Sequence, residues 1–291
     1  MRRGRHYCII VRMDISIVKS DGTKEPFDPS KLVSSLQRAG ATQTAIDSIV
    51  TRISSVIHDG ATTEHIYSEA FGLLKKYHAP AAVKYSIRRA LLELGPDGFP
   101  FEKFIARMFQ SWDYETLTDQ TVMGSCVPHE IDVVAWNKEK LILTEAKYHN
   151  EFGLKSDLKV ALYIQARRED VSGTYFDYGG IKRTPSEFWL VTNTKFSEQA
   201  IHYGACKTLI MIGWNYPAHG NLHDIIERQG LHPITSLTTL DHREKRDLIG
   251  RGVLICKDLI AKPASLHDIG VKDERAAKIL EEADMVIRLA K

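Results

Sequence analysis

Two apolar stretches decide the fold of the central part of this chain: Glu130-Ile131-Asp132-Val133-Val134-Ala135-Trp136 and Leu141-Ile142-Leu143-Thr144-Glu145-Ala146-Lys147. The polar residues 137–140 between them predict a hairpin turn. Folding the stretches symmetrically about this turn places Asp132 opposite Glu145, with their Cβ atoms roughly 5 Å apart. Glu145 and Lys147 are two residues apart on one strand, so their side chains point to the same face. A slip of one residue in register would separate these groups.

The facing carboxylates of Asp132 and Glu145 predict a metal site. Two carboxylates flanked by apolar residues are unfavourable when nothing compensates their charge. Their hard oxygen atoms suit Mg²⁺ or Mn²⁺, and such an ion can polarise a phosphoryl oxygen and generate a hydroxide nucleophile. Lys147 can then orient the attacking water or stabilise charge on a scissile phosphate. The alternative is a surface hairpin with solvated charges, which the apolar residues around Asp132 disfavour.

Glu102 adds a third carboxylate, on a helix predicted over residues 101–112. Its neighbours three and four residues on are Ile105 and Ala106, so Glu102 borders the apolar stripe of that helix. A charge in such a place usually needs a partner or a metal. Taken alone, Glu102 fits better as a glutamate that the helix dipole favours in the first turn.

Taken together, these residues resemble the PD-(D/E)xK nuclease superfamily and, more narrowly, the Mrr-type restriction endonuclease domain. The resemblance rests on Phe101-Glu102, on residues 129–135, on Glu145-Ala146-Lys147, and on the downstream stretches 190–200 and 209–213. It implies an α/β nuclease core with a mixed sheet, which acts on DNA as restriction enzymes do.

The same resemblance assigns roles to individual residues. Asp132 and Glu145 would be the metal ligands, Lys147 the catalytic lysine, and Glu102 the helix-borne carboxylate. Gln165, on a helix predicted near residues 154–169, would reach the site, as a glutamine often does in relatives. An ordinary exposed or capping glutamine fits Gln165 about equally well.

The composition is that of an ordinary soluble protein with two or three domains. The 291 residues are too many for one small core. With a net charge of only +2, a nucleic-acid-binding surface must come from local clusters of basic residues. The four cysteines are scattered without a C-x-x-C pair, which disfavours zinc or disulfide frameworks and favours a reducing cytoplasm. No apolar run approaches the ~20 residues of a membrane span.

Residues 14–95 predict a hairpin followed by helices, with Asp28 capping the first helix and Gly40 just past its end. The stretches 18–28, 62–66 and 82–89 resemble an ATP-cone, the domain that regulates ribonucleotide reductases. The resemblance implies binding of ATP or dATP, with the binding residues Lys19, Lys24, Glu25 and Lys31. A glycine turn flanked by lysines also suits phosphate on physical grounds. The alternative is a cone that is kept for docking or dimerisation without nucleotide.

Residues 231–291 predict an all-helical domain. The stretch 266–271 before its last helix resembles a helix-hairpin-helix element, in which a glycine turn offers N–H groups to the DNA backbone without reading bases. The resemblance implies DNA contacts at Gly270, Lys272 and Arg275. A small helical packing or protein–protein domain is an equally good interpretation.

The sequence therefore predicts a multidomain α+β and α/β protein: a basic, disordered leader (1–13) or a true start at Met13, an ATP-cone (14–95), a nuclease core (96–230) and a helical domain (231–291). The expected function is a Mg²⁺-dependent DNA endonuclease regulated by ATP or dATP, in a cytoplasmic homo-oligomer. One alternative is an ATP-cone-gated DNA-binding regulator with an inactive nuclease fold. A third class, an enzyme acting on ATP itself, is disfavoured because the chain has no Walker loop.

Overall fold

The structure, a computed structural model, describes residues 15–95, 97–151 and 153–288. The predicted leader of residues 1–13 and the question of a start at Met13 lie outside these described residues. The chain divides into two compact units between Ala82 and Val83. Its elements in chain order are β1 Ser16–Val18, β2 Lys24–Pro26, α1 Pro29–Arg38, α2 Gln43–Val56, α3 Thr63–Tyr77, α4 Ala79–Leu92, α5 Phe99–Gln110, β3 Glu115–Met123, β4 Pro128–Trp136, β5 Leu141–Lys147, β6 Lys155–Ser156, α6 Leu158–Val171, β7 Phe176–Tyr178, β8 Ile181–Arg183, β9 Glu187–Thr192, β10 Lys195–Phe196, α7 Glu198–Cys206, β11 Ile210–Ile212, α8 Leu222–Gln229, a 3₁₀ turn Ile234–Ser236, α9 His242–Gly250, α10 Cys256–Ala261, α11 Ala264–Asp268 and α12 Asp273–Arg288.

The first unit is a short hairpin followed by helices, as the sequence predicts. Strands β1 and β2 pair antiparallel, with Val18 opposite Lys24. The side chain of Asp28 accepts a hydrogen bond from the backbone N–H of Ser30 and so caps α1. The sequence predicts helices from residue 29 to the residue before Gly40, near 44–57 and near 63–76, and α1, α2 and α3 begin and end within two residues of these positions. Each helix carries a capping side chain and an apolar stripe, which act locally.

The second unit is built on a mixed five-stranded sheet in the order β11-β9-β5-β4-β3. Strands β3, β4 and β5 form an antiparallel meander. Strand β9 lies parallel to β5 after the crossover through α6, and β11 lies parallel to β9. The sheet therefore joins a local antiparallel half to a parallel half that needs helical connections.

Alternation along β4 divides its side chains between two cores. Val133 and Ala135 belong to a core with residues of α5 and α8, such as Phe104. Val134 and Trp136 belong to a second core with residues of α6 and α7. Both faces of the central strands are therefore covered, which explains why they read as continuous apolar runs.

Two predicted elements differ from the observed ones at their ends. The sequence makes residues 114–118 a strand candidate, and the observed strand is the longer β3, which ends at Met123. It lies at the sheet edge and exposes every second residue, so its hydrophobic signal is weak. The helix expected from residue 154 begins at Leu158, because the Asp157 side chain accepts hydrogen bonds from the N–H groups of Lys159 and Val160.

The hairpin of β7 and β8 was not predicted. Its two-residue turn is Gly179-Gly180, with φ angles of +65° and +72°. Both angles lie in the left-handed region that glycine adopts without strain, and such turns match the twist of the strands they join. The ring of Tyr178 packs against Trp136, with 5.2 Å between the ring centroids, so the hairpin covers the end of β4.

The tip of the β3–β4 hairpin is fixed to α6 by Asp170. Its carboxylate accepts hydrogen bonds from the backbone N–H groups of Cys126 and Val127 and lies 2.7 Å from Nε2 of His129. Contact with His129 holds the pKa of Asp170 at about 2. This anchor ties the edge strand to a helix that is remote in sequence.

Residues 231–288 are helical apart from turns, as predicted, but they do not form a separate unit. Leu231, Leu254 and Ile255 lie in the same core as Phe101, as does Leu91 of α4. The division into two compact units falls at Ala82–Val83, and the predicted boundaries after residues 95 and 230 stay predictions. Ile87 and Leu91 of α4 lie in the core of the second unit. A change in sequence composition does not predict where this core begins.

Candidate active site

Asp132 and Glu145 lie on adjacent strands at the same level of the sheet. The β4–β5 ladder ends at the pair Val133 and Thr144, and Asp132 and Glu145 are the next residues of the two strands beyond that pair. Oδ2 of Asp132 accepts a hydrogen bond of 2.7 Å from the backbone N–H of Ala146, which fixes this carboxylate beside β5. The two carboxylates therefore lie close enough for the charge of Glu145 to act on Asp132, and their role as metal ligands stays a prediction.

Burial and neighbouring negative charge raise the pKa values of two of these carboxyl groups, Asp132 and Glu102. Burial raises the pKa of Asp132 to about 7, and the negative charge of Glu145 adds to this effect. Burial also raises the pKa of Glu102, together with the charges of Asp119, Glu130 and Glu145. Glu102 at the start of α5 therefore lies close enough to the hairpin acids to share their electric field. These acids carry more negative charge than their protein surroundings compensate.

Two of these acids, Asp119 and Glu130, were not singled out from the sequence. Asp119 lies between Thr118, which pairs with Val133, and Gln120, and so stands at the level of Asp132 on the neighbouring strand. Its φ angle of +57° marks a distortion of β3 at this point. A non-glycine residue in this conformation is uncommon, and no sequence pattern around Asp119 predicts it.

Arg167 on α6 is the second group that sequence reasoning missed. Its Nη1 donates a hydrogen bond of 2.5 Å to Oε2 of Glu145, and its Nη2 donates one of 2.8 Å to the hydroxyl of Tyr163. Only 8% of the Arg167 side chain is exposed. The signal was present, because Arg167 interrupts the apolar stripe that Ile164 and Val171 continue.

Lys147 lies at the end of β5, beside Thr192 of β9 and two residues beyond Glu145. It is partly exposed, and within the described part of the chain it makes no hydrogen bond or ion pair. Its ammonium group therefore remains available to a ligand. Gln165 instead donates to Glu169 over 2.9 Å and makes no hydrogen bond to the predicted acids among the described residues. A catalytic role for Gln165 stays a prediction without a supporting contact.

The predicted nucleotide residues cluster in the first unit around Glu25. Its two carboxylate oxygens lie 3.3 Å from Nζ of Lys19 and 3.0 Å from Nζ of Lys31. Lys24, on β2, is exposed and has no ion pair among the described residues. The lysines thus form a basic cluster at the hairpin, and a phosphate would have to compete with Glu25 for two of them.

The predicted DNA-binding residues lie around the turn between α11 and α12. Gly270 adopts a φ of +85°, but its N–H donates to the carbonyl of His267 and is not directed at a ligand. Arg275 is engaged with the carboxylate of Glu244 and the carbonyl of Thr239. Lys272 is exposed, and its side chain makes no hydrogen bond or ion pair within the described chain. Arg275 therefore braces α12 against α9, and its DNA contact stays a prediction.

Within the described ranges, no group of three or more His, Cys, Asp or Glu side chains is arranged to hold a metal ion. The predicted ligand set had two members, Asp132 and Glu145. No helix in the described part of the chain is long and apolar enough to cross a bilayer.

Comparison with known proteins identifies both ends of the chain. Residues 15–91 match the ATP cone domain family, and residues 232–287 match the family described as AF1548-like, C-terminal. An uncharacterized protein of Archaeoglobus fulgidus is 35% identical over 184 residues, which are 63% of this chain and 99% of that protein. The chain belongs to the AF1548-like family.

A solved structure, described as a protein of unknown function AF1548, is similar to the same part of the chain. It has 33% sequence identity and a TM-score of 0.53, and the match covers 66% of this chain and 99% of that one. An ATP-cone domain is thus present at the N-terminus of an AF1548-like protein, which supports regulation by adenine nucleotide. Neither family description names a nuclease.

Proposed function

We propose that this AF1548-like protein is a Mg²⁺-dependent DNA endonuclease of the PD-(D/E)xK type whose activity depends on adenine nucleotide. The observation that supports the proposal is the proximity of Asp132 and Glu145 on adjacent strands, with Lys147 on the strand of Glu145. Glu102 lies near enough for the charge of Glu145 to raise its pKa, after the larger effect of burial. Acids whose pKa values are raised by burial and by neighbouring charges are frequent at functional sites.

The acids fit a divalent cation in their chemistry. Asp132 and Glu145 supply hard carboxylate oxygens, and the raised pKa values of Asp132 and Glu102 reflect negative charge that a cation would compensate. Asp132 and Glu145 are the residues that would hold the ion. When bound, it would supply Lewis acidity at the phosphate and a water of lowered pKa.

The protein's own groups then prepare the hydrolysis of a phosphodiester. A water oxygen bonds to phosphorus, the bond to the leaving oxygen breaks, and the water proton ends on that oxygen. The unpaired ammonium of Lys147 orients the water or compensates charge on the non-bridging oxygens. The N–H of Ala146 and the guanidinium of Arg167 hold Asp132 and Glu145 in place. Such fixed second partners are what positions acidic ligands.

One observation favours a second function, a DNA-binding regulator with an inactive nuclease fold. The ion pair between Arg167 and Glu145 already occupies one of the two oxygens of Glu145. If that pair persists with DNA and Mg²⁺ present, Glu145 supplies one oxygen fewer to a metal. In this case the chain binds DNA under control of the cone without cutting it.

The test is a cleavage panel of plain, methylated and branched DNA, with and without Mg²⁺ and ATP. We expect cutting by the intact chain with Mg²⁺ and none with EDTA. Asp132→Asn, Glu145→Gln and Lys147→Ala should each lower the rate about 100-fold or more, whereas Asp177→Asn on exposed β7 should not. Full activity in any of the first three variants contradicts the assignment. The DNA-binding regulator is supported if the chain binds DNA, cuts none of the substrates and releases or absorbs no heat when titrated with Mg²⁺ in a calorimeter.

The proposal extends to assembly and location. ATP-cones often self-associate, so we expect at least a dimer, which light scattering on the intact chain measures. Scattered cysteines and a DNA substrate suit a cytoplasmic location.

A further inference from the structure

A cavity of about 710 Å³ lies in the second unit, where the start of α5, the segment after β5 and helix α9 meet. Its volume is that of a typical small-ligand site. Apolar side chains such as Leu92 and Ile249 line part of it, together with the backbone and ring of Pro100. No residue predicted from the sequence as a site residue lines this cavity.

Helix α9 gives the cavity a basic wall. His242, Lys245 and Arg246 all line it, and their spacing of three and four residues places them on one face of the helix. Arg246 is exposed and makes no hydrogen bond or ion pair among the described residues. Nζ of Lys245 donates a hydrogen bond of 2.6 Å to the carbonyl oxygen of Thr235. The one acidic lining residue is Glu93, so the formal charge of the wall is positive.

Two segments that line the cavity, the start of α5 and the residues after β5, also carry residues of the acid site. Pro100 lines the cavity and Glu102 follows two residues later on α5. Asn150 lines it and follows Lys147 by three residues. Between them the hydroxyl oxygen of Tyr148 lies 2.6 Å from the carbonyl oxygen of Leu92 and 2.8 Å from that of Gly95, and its single hydrogen is shared between these two acceptors. This clamp fixes the segment after β5 against the segment before α5.

We propose that this cavity binds the sugar–phosphate backbone of the nucleic acid whose scissile bond lies at the acids. Acids at Asp132 and Glu145 repel a polyanion, so the strand needs cations beside them, and Arg246 with Lys245 supplies these. The unpartnered guanidinium of Arg246 is the phosphate ligand. The inference rests on the proposed function for the identity of its ligand, and it assigns DNA binding to α9 and not to the turn before α12.

The test compares Arg246→Ala with Arg243→Ala, because both arginines are exposed on α9 and only Arg246 lines the cavity. Arg243 lies 3.8 Å from Asp247. Fluorescence anisotropy of a labelled duplex in EDTA measures binding without cleavage. We expect Arg246→Ala to weaken DNA binding roughly five- to tenfold at about 100 mM salt. The slope of log K against log salt should fall by about 1. Arg246→Lys should retain the slope, and Arg243→Ala should resemble the parent chain.

Equal binding by Arg246→Ala and Arg243→Ala overturns the inference. So does an effect of Arg246→Ala on ATP or inorganic phosphate binding with none on DNA, since the occupant is then a free phosphate compound. Because the measurement needs no catalysis, Arg246-dependent binding by a chain that never cuts DNA upholds the inference while the nuclease proposal fails. Thermal melts of both variants control for folding.

Discussion

At the scale of single residues, the ion pair between Arg167 and Glu145 compensates the charge of one acid of the candidate site. The Arg167 side chain is buried and forms an ion pair with Glu145. Glu145 in turn lies near the carboxylate of Asp132. Removal of one partner from a buried pair leaves an uncompensated charge, which typically costs about 3–5 kcal/mol. We therefore expect Arg167→Met to destabilise the metal-free chain by about 3 kcal/mol, measured by urea unfolding.

The double variant Arg167→Met with Glu145→Gln provides the control. If the loss comes from the uncompensated Glu145 charge, the double variant is more stable than Arg167→Met alone, and the coupling energy of the cycle is about 1 kcal/mol or more. Additive single effects would show that Arg167 acts through packing on Tyr163 and not through the ion pair.

Glu227 on α8 gives the chain a measurable dependence on pH. Burial alone would raise its pKa, but the charges and hydrogen bonds of His232 and Lys84 outweigh burial and hold the pKa at about 2. A carboxyl group with a depressed pKa stabilises the fold above its unfolded pKa, about 4.3, and loses this contribution as pH falls to about 2. Glu227→Gln should therefore lower the free energy of unfolding at pH 7 by a few kcal/mol, of the order set by two pKa units.

Urea titrations of Glu227→Gln and the parent chain at pH 7 and near pH 3 check the direction. The difference between the two proteins should shrink at the lower pH. The exposed Glu115→Gln on β3 serves as the matched control and should change little at either pH. A difference for Glu227→Gln that is constant over this range contradicts the assigned ion pairs.

At the scale of elements, the β3–β4 hairpin depends on how closely its tip approaches α6. A Cβ at Gly124 would lie 2.2 Å from Oδ2 of Asp170 and 2.9 Å from the carbonyl oxygen of Val127, whereas a Cβ at Gly173 meets nothing within 4 Å. Gly124→Ala must therefore displace the Asp170 anchor and should cost about 1–3 kcal/mol. Gly173→Ala, nearby on the chain after α6, should be nearly neutral. Chemical denaturation of both variants measures the difference, and equal stabilities would exclude a tight tip.

Elements with strong local signals were predictable. The cap at Asp28 and the apolar alternation of β4 and β5 act within a few residues, so a sequence window contains the whole cause. The register of β4 and β5, with Val133 opposite Thr144, follows from the turn at 137–140, where Oδ1 of Asn137 accepts hydrogen bonds from the N–H groups of Glu139 and Lys140.

Features that depend on contacts between distant residues were not predictable. Arg167 reaches Glu145 over 22 positions, and Asp170 fixes Cys126 over 44. The distortion at Asp119 and the cavity beside α9 arise from packing of several elements, which no periodicity encodes. Glu102, Asp132, Glu145 and Lys147 were thus candidates from the sequence, whereas Asp119, Glu130 and Arg167 were found beside them only in the folded chain.

At the scale of the whole molecule, the ATP-cone domain predicts that nucleotide and DNA affect each other's binding. Lys31 lies 3.0 Å from Glu25 in the first unit, and a triphosphate would replace that carboxylate as its partner. Loss of a charged hydrogen bond costs about 1.5–3 kcal/mol, so Lys31→Ala should weaken ATP binding about tenfold or more in calorimetry. Lys76→Ala at the end of α3 is the control and should bind ATP like the parent chain.

The coupling itself is tested by measuring DNA affinity with and without saturating ATP. Allosteric coupling is typically about 1–3 kcal/mol, which is a change of about 5- to 150-fold. Because coupling of binding free energies is reciprocal, saturating DNA must change ATP affinity by the same factor and in the same direction. Lys31→Ala should remove the ATP-dependent shift at nucleotide concentrations that saturate Lys76→Ala. If DNA affinity is identical with and without ATP in the intact chain, the cone binds nucleotide without controlling the DNA site, and regulation must act on the catalytic rate alone.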